Sequence, residues 1–398
     1  MAHLIQFNQI LLGCSDNAFD SGILMDTQLL PLGGHGSPLK PAIYPDKKYQ
    51  KDCRWASPDD REAQDVIVID NVPSQANRLE AALRHNRASI HLPEFILDFS
   101  DIPHLPPHLP KTLSSLQFPH RNADAYLRDS QLNGEDFNKT QLGKDIFSST
   151  AENCAPLLAW FPQALLYGFW QSHLGKKRSN AKHARAWVSE IIGWNPATTE
   201  TKTLGVKGDP LNLNIDDPVT MNSKDDRAQW EIGKTKGDKS EKLSAIGHGQ
   251  VPIKGGGDAT LAAVSFERIS QRATLSFAQL RRVRIDNQFG SSKNAACRAL
   301  LVALGLYAHQ LAFGRGFSLR SGADLIPEET EITWLGSDSD SHISLGTIED
   351  SRDLVHTARE HALSEGLTLD GWGEHPKILT PKENLKNAIR GTWPDLTD

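Results

Sequence analysis

The chain is poor in cysteine. Cys14, Cys53, Cys154 and Cys297 stand far apart in 398 residues with no CxxC pair, which argues against both a disulfide scaffold and a structural zinc centre. It lacks a long uninterrupted apolar run. Ala155 to Trp170 is broken by Pro162, and Ala295 to Phe313 carries Arg298, His309 and Gln310, so neither reaches the roughly 18 apolar residues of a membrane span. The opening segment ends in Leu11-Leu12-Gly13-Cys14 but has no Lys or Arg before it, and Gln6, Asn8 and Gln9 interrupt it. No secretory leader is expected, and the cytoplasm is the expected compartment. Positive charge is also in deficit, 43 Lys and Arg against 49 Asp and Glu, which argues against indiscriminate polyanion binding.

Catalytic signatures are scarce. No GxSxG nucleophile motif occurs, and no two carboxylates stand out as an acid and base pair. Gly233-Lys234-Thr235 imitates the end of a phosphate-binding loop, but Ala228 stands where the required glycine would be. His104 and His108 have the spacing of paired ligands on a helix, which Pro103, Pro106, Pro107 and Pro110 forbid. Gly255-Gly256-Gly257-Asp258 reads as a hinge more readily than as a phosphate cradle. A non-enzymatic protein, without metal or cofactor, is the expectation.

What the chain does have is segregated charge. Lys176, Lys177, Arg178, Lys182 and Arg185 form one basic cluster, and Arg268, Arg272, Arg281, Arg282, Arg284, Lys293 and Arg298 a second, whereas Asp324 to Asp353 is acidic. A basic face with acidic outer surfaces has this pattern. The segment PHRNADAYLRDS, Pro119 to Ser130, sets His120, Arg121, Asn122, Arg128, Asp129 and Ser130 around a short apolar stripe and reads as one small helix carrying many donors. Arg121 and Arg128 have two uses open to them, a polyanion backbone or ion pairs with Asp124 and Asp129.

The pattern predicts strands at 22 to 32, 66 to 69 and 95 to 99, a helix from Pro73 with Ala76, Leu79, Ala82 and Leu83 on one face, and a strand or short helix at 186 to 194. It predicts a helix from Asn294 to Phe313 buried nearly all round, a strand from Phe317 to Leu325, and a helix from Ser351 to Ser364. Residues 195 to 260 are polar and glycine-rich and read as an insertion, either an extended arm or a loop. The class is α+β, and the ferredoxin-like or RNA-recognition type is one member of it.

Taken in order, PSQANRLEAAL at 73 to 83, HRNADAYLRDS at 120 to 130, ALLYGFWQSH at 164 to 173, WVSEIIGW at 187 to 194, FAQLRRVRI at 277 to 285, ALGLYAHQLAF at 303 to 313 and LRSGADL at 319 to 325 resemble the backbone subunit of type I-G (formerly I-U) CRISPR effector complexes, in the RAMP superfamily. The resemblance implies a modified RNA-recognition palm over residues 1 to 327, interrupted by a thumb-like arm at 195 to 260, with an acidic extension at 328 to 398. It implies a subunit that polymerises along a CRISPR RNA so that the guide pairs with a target DNA strand. The implied partners are other copies of itself, a large subunit, a guide-processing subunit and a helicase-nuclease, with no membrane. Candidate RNA contacts are Asn77, Arg78, His120, Arg121, Arg128, Ser130, Lys176, Lys177, Arg178, Lys182, Arg281, Arg282 and Arg284. The competing expectation is a ribonuclease of the same superfamily that uses an aspartate such as Asp129 or Asp258.

Overall fold

The run GILMDTQLLP sets apolar side chains at alternate positions, the period of a half-covered strand, and forms the strand Gly22–Pro31. A computed structural model of the chain describes residues 2–44, 48–103, 105, 109–171, 181–197, 211, 213, 217–222, 229–233, 240–248 and 263–391. Their mixture of helices and sheets is α+β.

Four strands carry the main sheet: Gly22–Pro31, Trp187–Pro196, Phe266–Ser276 and Asp324–Leu335. Their spatial order is fourth, first, third, second, and all neighbours are antiparallel. The helix Val72–His85 lies in the connection from first to second, and the helix Ser292–Phe313 in that from third to fourth. Gln64–Asp70 and Lys51–Arg54 extend one edge, and Ser341–Ser344 and His3–Leu4 the other.

The helix Ser292–Phe313 is the centre of the core. It is long and apolar enough to cross a membrane, yet 83% of its most apolar window is buried inside the protein. That burial follows from the apolar residues recurring on every side of the helix. Gly305 permits its close approach to the sheet, since a Cβ there would stand 3.0 Å from the Trp187 ring. Arg298, within the same helix, has no exposed surface. It is tolerated because it donates to Asp16 Oδ1 at 2.8 Å and to the carbonyls of Cys14, Val283 and Arg281. The helix Ile348–Ser364 lies against it, started by a capping box between Thr347 and Asp350.

Two expectations change and one open alternative closes. Pro119 to Ser130 is not one helix: a 3₁₀ turn at Arg121–Ala123 gives way to Ala125–Arg128, and Ser130 already begins a strand. Asp124 separates the two turns by capping the second through the Tyr126 amide, and Arg121 sits at φ +52, which no regular helix contains. Phe317 to Leu325 is a turn between two strands, because Arg320-Ser321-Gly322 reverses the chain and Phe317 pairs back onto Leu325. The segment Ala186 to Trp194 resolves as strand, within Trp187–Pro196.

Within the insertion the described residues include a three-stranded sheet of Pro218–Met221, Trp230–Ile232 and Ser240–Lys242. The boundary drawn at 327/328 falls inside the strand Asp324–Leu335, which pairs with Gly22–Pro31 on both sides of that point. Further on, Lys377–Pro381 pairs with Phe95–Asp98 and with Ser130–Leu132 in a second sheet.

Candidate nucleic-acid interface

At the amino end of the helix Val72–His85, an open cleft of about 750 Å³ lies between the turn at Pro119 to Ala123 and a hairpin of Phe169–Gln171 with Ala181–His183. Its lining includes His120, Arg121, Trp170, Lys182, His183 and Arg185, and none of its described lining residues is acidic.

The floor is built on two unusual backbone positions. Arg121 is buried at φ +52, held by a bidentate pair with Glu80 at 2.7 and 2.8 Å and by donating to the Gly168 carbonyl at 3.0 Å. Gly168, at φ +80 and ψ 163, occupies a region essentially restricted to glycine, and a Cβ there would meet the His183 carbonyl at 2.8 Å. Burial raises the Glu80 carboxyl, and the charge and hydrogen bonds of Arg121 oppose that rise.

The hairpin sorts its side chains by strand alternation. Phe169 faces His183 on the buried side, with ring centroids 5.9 Å apart. Trp170 stands opposite Lys182 on the outward side and is 63% exposed. Directly opposed residues share a face, so an aromatic plane and a cation are presented side by side. Burial, and secondarily the charge of Arg282, hold His183 below the usual imidazole range, against the opposing bond to the Leu165 carbonyl at 2.9 Å. His183 is thus a neutral spacer, and Arg282 lies close enough to act on it.

Arg185 is exposed, and desolvation and then the charge of Arg121 lower its pKa. It remains a cation at any ordinary pH, in a place where a second cation is disfavoured and an anion would be welcome. Among the described residues Lys182, Arg185 and Arg282 have no carboxylate partner.

The candidate RNA contacts therefore separate. His120 and Lys182 line this cleft, Arg282 is near enough for its charge to act on His183, and Asn77 is exposed on the adjoining helix. Arg78 grips Asp70 at 2.9 Å, where Arg320 also lands, and Arg121 is buried on Glu80. Arg128 is exposed but clamps Asp129 at 2.8 Å. Arg281 donates to the carbonyls of Gly13, Ser15 and Asp20, Arg284 lies 3.8 Å from Asp16, and buried Ser130 donates to the Leu127 carbonyl. Lys176, Lys177, Arg178 and Asp258 lie outside the described residues, as do His104, His108, Lys234 and Gly255 to Gly257. Trp170 and Arg185 were missing from the candidate contacts. Only the two-residue alternation around Trp170 marked it, and the apolar run that contains it reads as core.

No curated protein shows a significant match to the chain. Residues 23–197 match a family model described as CRISPR-associated protein GSU0053. Every described residue lining the cleft lies within that segment, so the part of the chain that builds the cleft is similar to a CRISPR-associated protein family.

Proposed function

We propose that the protein is a non-enzymatic RNA-binding subunit of a CRISPR effector complex, holding the guide strand so that its bases pair with target DNA. A role in CRISPR-Cas defence is supported by the family match over residues 23–197. The strand order fourth, first, third, second, with a helix in each crossover, supports the reading of the main sheet as a ferredoxin-like or RNA-recognition palm. The type I-G backbone role, with further copies of the chain, a large subunit, a guide-processing subunit and a helicase-nuclease as partners, is the form of this proposal that agrees with the ordered sequence blocks.

One observation carries the RNA reading: outward-facing Trp170 and Lys182 side by side across a hairpin, with Arg185 in the same acid-free cleft. Single-strand sites join a basic groove to aromatic platforms on which bases stack. The cations take the phosphates, and the aromatic takes the base without reading its identity.

The test is fluorescence anisotropy with single-stranded RNA across a salt series. Wild type should bind with an affinity that falls steeply with salt, and the triple variant Lys182→Glu, Arg185→Glu, Arg282→Glu should lose most of that binding while melting at the wild-type temperature. Unchanged binding by a folded triple variant would remove the basis for the reading.

A further inference from the structure

The outward face of the helix Val72–His85 has a composition that the cleft does not account for. Its exposed or half-exposed residues include Asn77, Arg78, Ala81 and His85, and its one acid, Glu80, is buried against Arg121. At the far end of the helix a second pocket of about 270 Å³ is lined by Arg78, His85, Asn86, Phe313, Arg315 and Phe317 together with small neighbours. It too has no acid among its described lining residues. Arg78 is partly committed to Asp70, but Arg315 is exposed and has no carboxylate partner among the described residues.

We infer that this pocket is a second subsite for the same single strand, taking a phosphodiester on Arg315 and His85 after the strand has crossed the helix over Asn77. The inference rests on the reading of the first cleft as a single-strand site. Val72 lines the first cleft and Arg78 to His85 line the second. At 1.5 Å per residue the two are roughly 9 to 20 Å apart along the helix axis. A few nucleotides of extended strand cover that distance, within the ~4 to 16 nucleotides that single-strand modules occupy. The half-exposed ring of Phe317 gives the pocket an apolar wall against which a sugar or base can lie. Neither pocket has an acid among its described lining residues, and the helix's one acid, Glu80, is buried against Arg121, so a polyanion meets little repulsion along the helix.

The test compares labelled RNAs of about four and about twelve nucleotides, lengths on either side of the smallest single-strand sites. Three proteins are measured: wild type, Arg315→Glu and Arg185→Glu, each checked for an unchanged melting temperature. On the twelve-nucleotide RNA, Arg315→Glu should lower affinity about tenfold and cut the salt slope by about one, while changing the four-nucleotide affinity less than about twofold. Arg185→Glu should weaken both lengths. If Arg185→Glu weakens binding and Arg315→Glu does nothing to the longer RNA, the second subsite is overturned and the cleft reading stands. Loss of both lengths in Arg315→Glu would mark general charge rather than a subsite and would also overturn it. If Arg185→Glu changes neither length, the cleft reading and the path built on it fail together.

Discussion

Arg121 and Glu80 form a bidentate ion pair in the interior, with side chains 11% and 5% exposed. A pair so placed holds the Pro119 to Ala123 turn onto the helix Val72–His85, and the rim of the cleft depends on it. Removing one partner leaves a buried charge uncompensated, at a cost of about 3 to 5 kcal/mol. Arg121→Ala should therefore lower the melting temperature sharply, whereas Arg185→Ala, at an exposed position, should leave it unchanged. Equal effects in thermal denaturation would show that Arg121 is not the structural member of the two.

Trp170 offers the opposite behaviour. An indole that is 63% exposed contributes little to the core, so Trp170→Ala should melt with wild type. Its loss of stacking should weaken single-stranded RNA binding by about 1 to 3 kcal/mol, with little change in salt slope because no charge is removed. Titration of the variant by anisotropy at two salt concentrations separates the effects.

Gly168→Ala combines a disfavoured backbone region with a Cβ 2.8 Å from the His183 carbonyl. The backbone term alone costs roughly 1 to 3 kcal/mol, which urea unfolding would register. Because the displaced strand carries Lys182, RNA affinity should fall with it. A variant as stable as wild type would mean that the hairpin shifts without strain.

The His309 ring lies tilted against those of Trp187 and Phe313, and burial pushes its pKa down from 6.5 to about 4. The native state thus takes up its proton at lower pH than the unfolded chain does. Its contribution to stability is complete above pH 6.5 and is lost progressively as pH falls from there towards 4, to a total of roughly 3 kcal/mol. Asp16 adds to acid sensitivity lower down. Burial would raise its carboxyl, but the bond from Arg298, the Gly290 amide and the charges of Arg298 and Arg284 outweigh that and hold it below the usual range. In a series of melts between pH 7 and 4, His309→Gln should flatten the upper part of the decline, and a slope equal to that of wild type would exclude His309 as its source.

The elements with one dominant period were legible in the sequence: the strand Gly22–Pro31, the helix Val72–His85 and the long helix Ser292–Phe313. What was not legible is set by partners far along the chain. Arg121 leaves the helical region because Glu80 and the Gly168 carbonyl hold its guanidinium, and no local pattern encodes that. Likewise Arg78, Arg281 and Arg284 look like a phosphate-binding set when only their charge is visible. Their acceptors are Asp70, three main-chain carbonyls and Asp16, which sequence proximity does not place beside them, apart from Asp70. Trp170 failed in the reverse direction, since an indole in an apolar run gives no sign of which face the strand will turn outward.

The strand Lys377–Pro381 sits between Phe95–Asp98 and Ser130–Leu132, and Asp324–Leu335 sits beside Gly22–Pro31. Both sheets are therefore completed by segments synthesised well after the strands they pair with. During translation Gly22–Pro31, Phe95–Asp98 and Ser130–Leu132 each wait with an unpaired edge until these later segments emerge. Such edges are templates for the wrong partner, including a second nascent copy. Ribosome pausing before Asp324–Leu335 and Lys377–Pro381 have emerged should then lower the share of the protein that reaches the folded state.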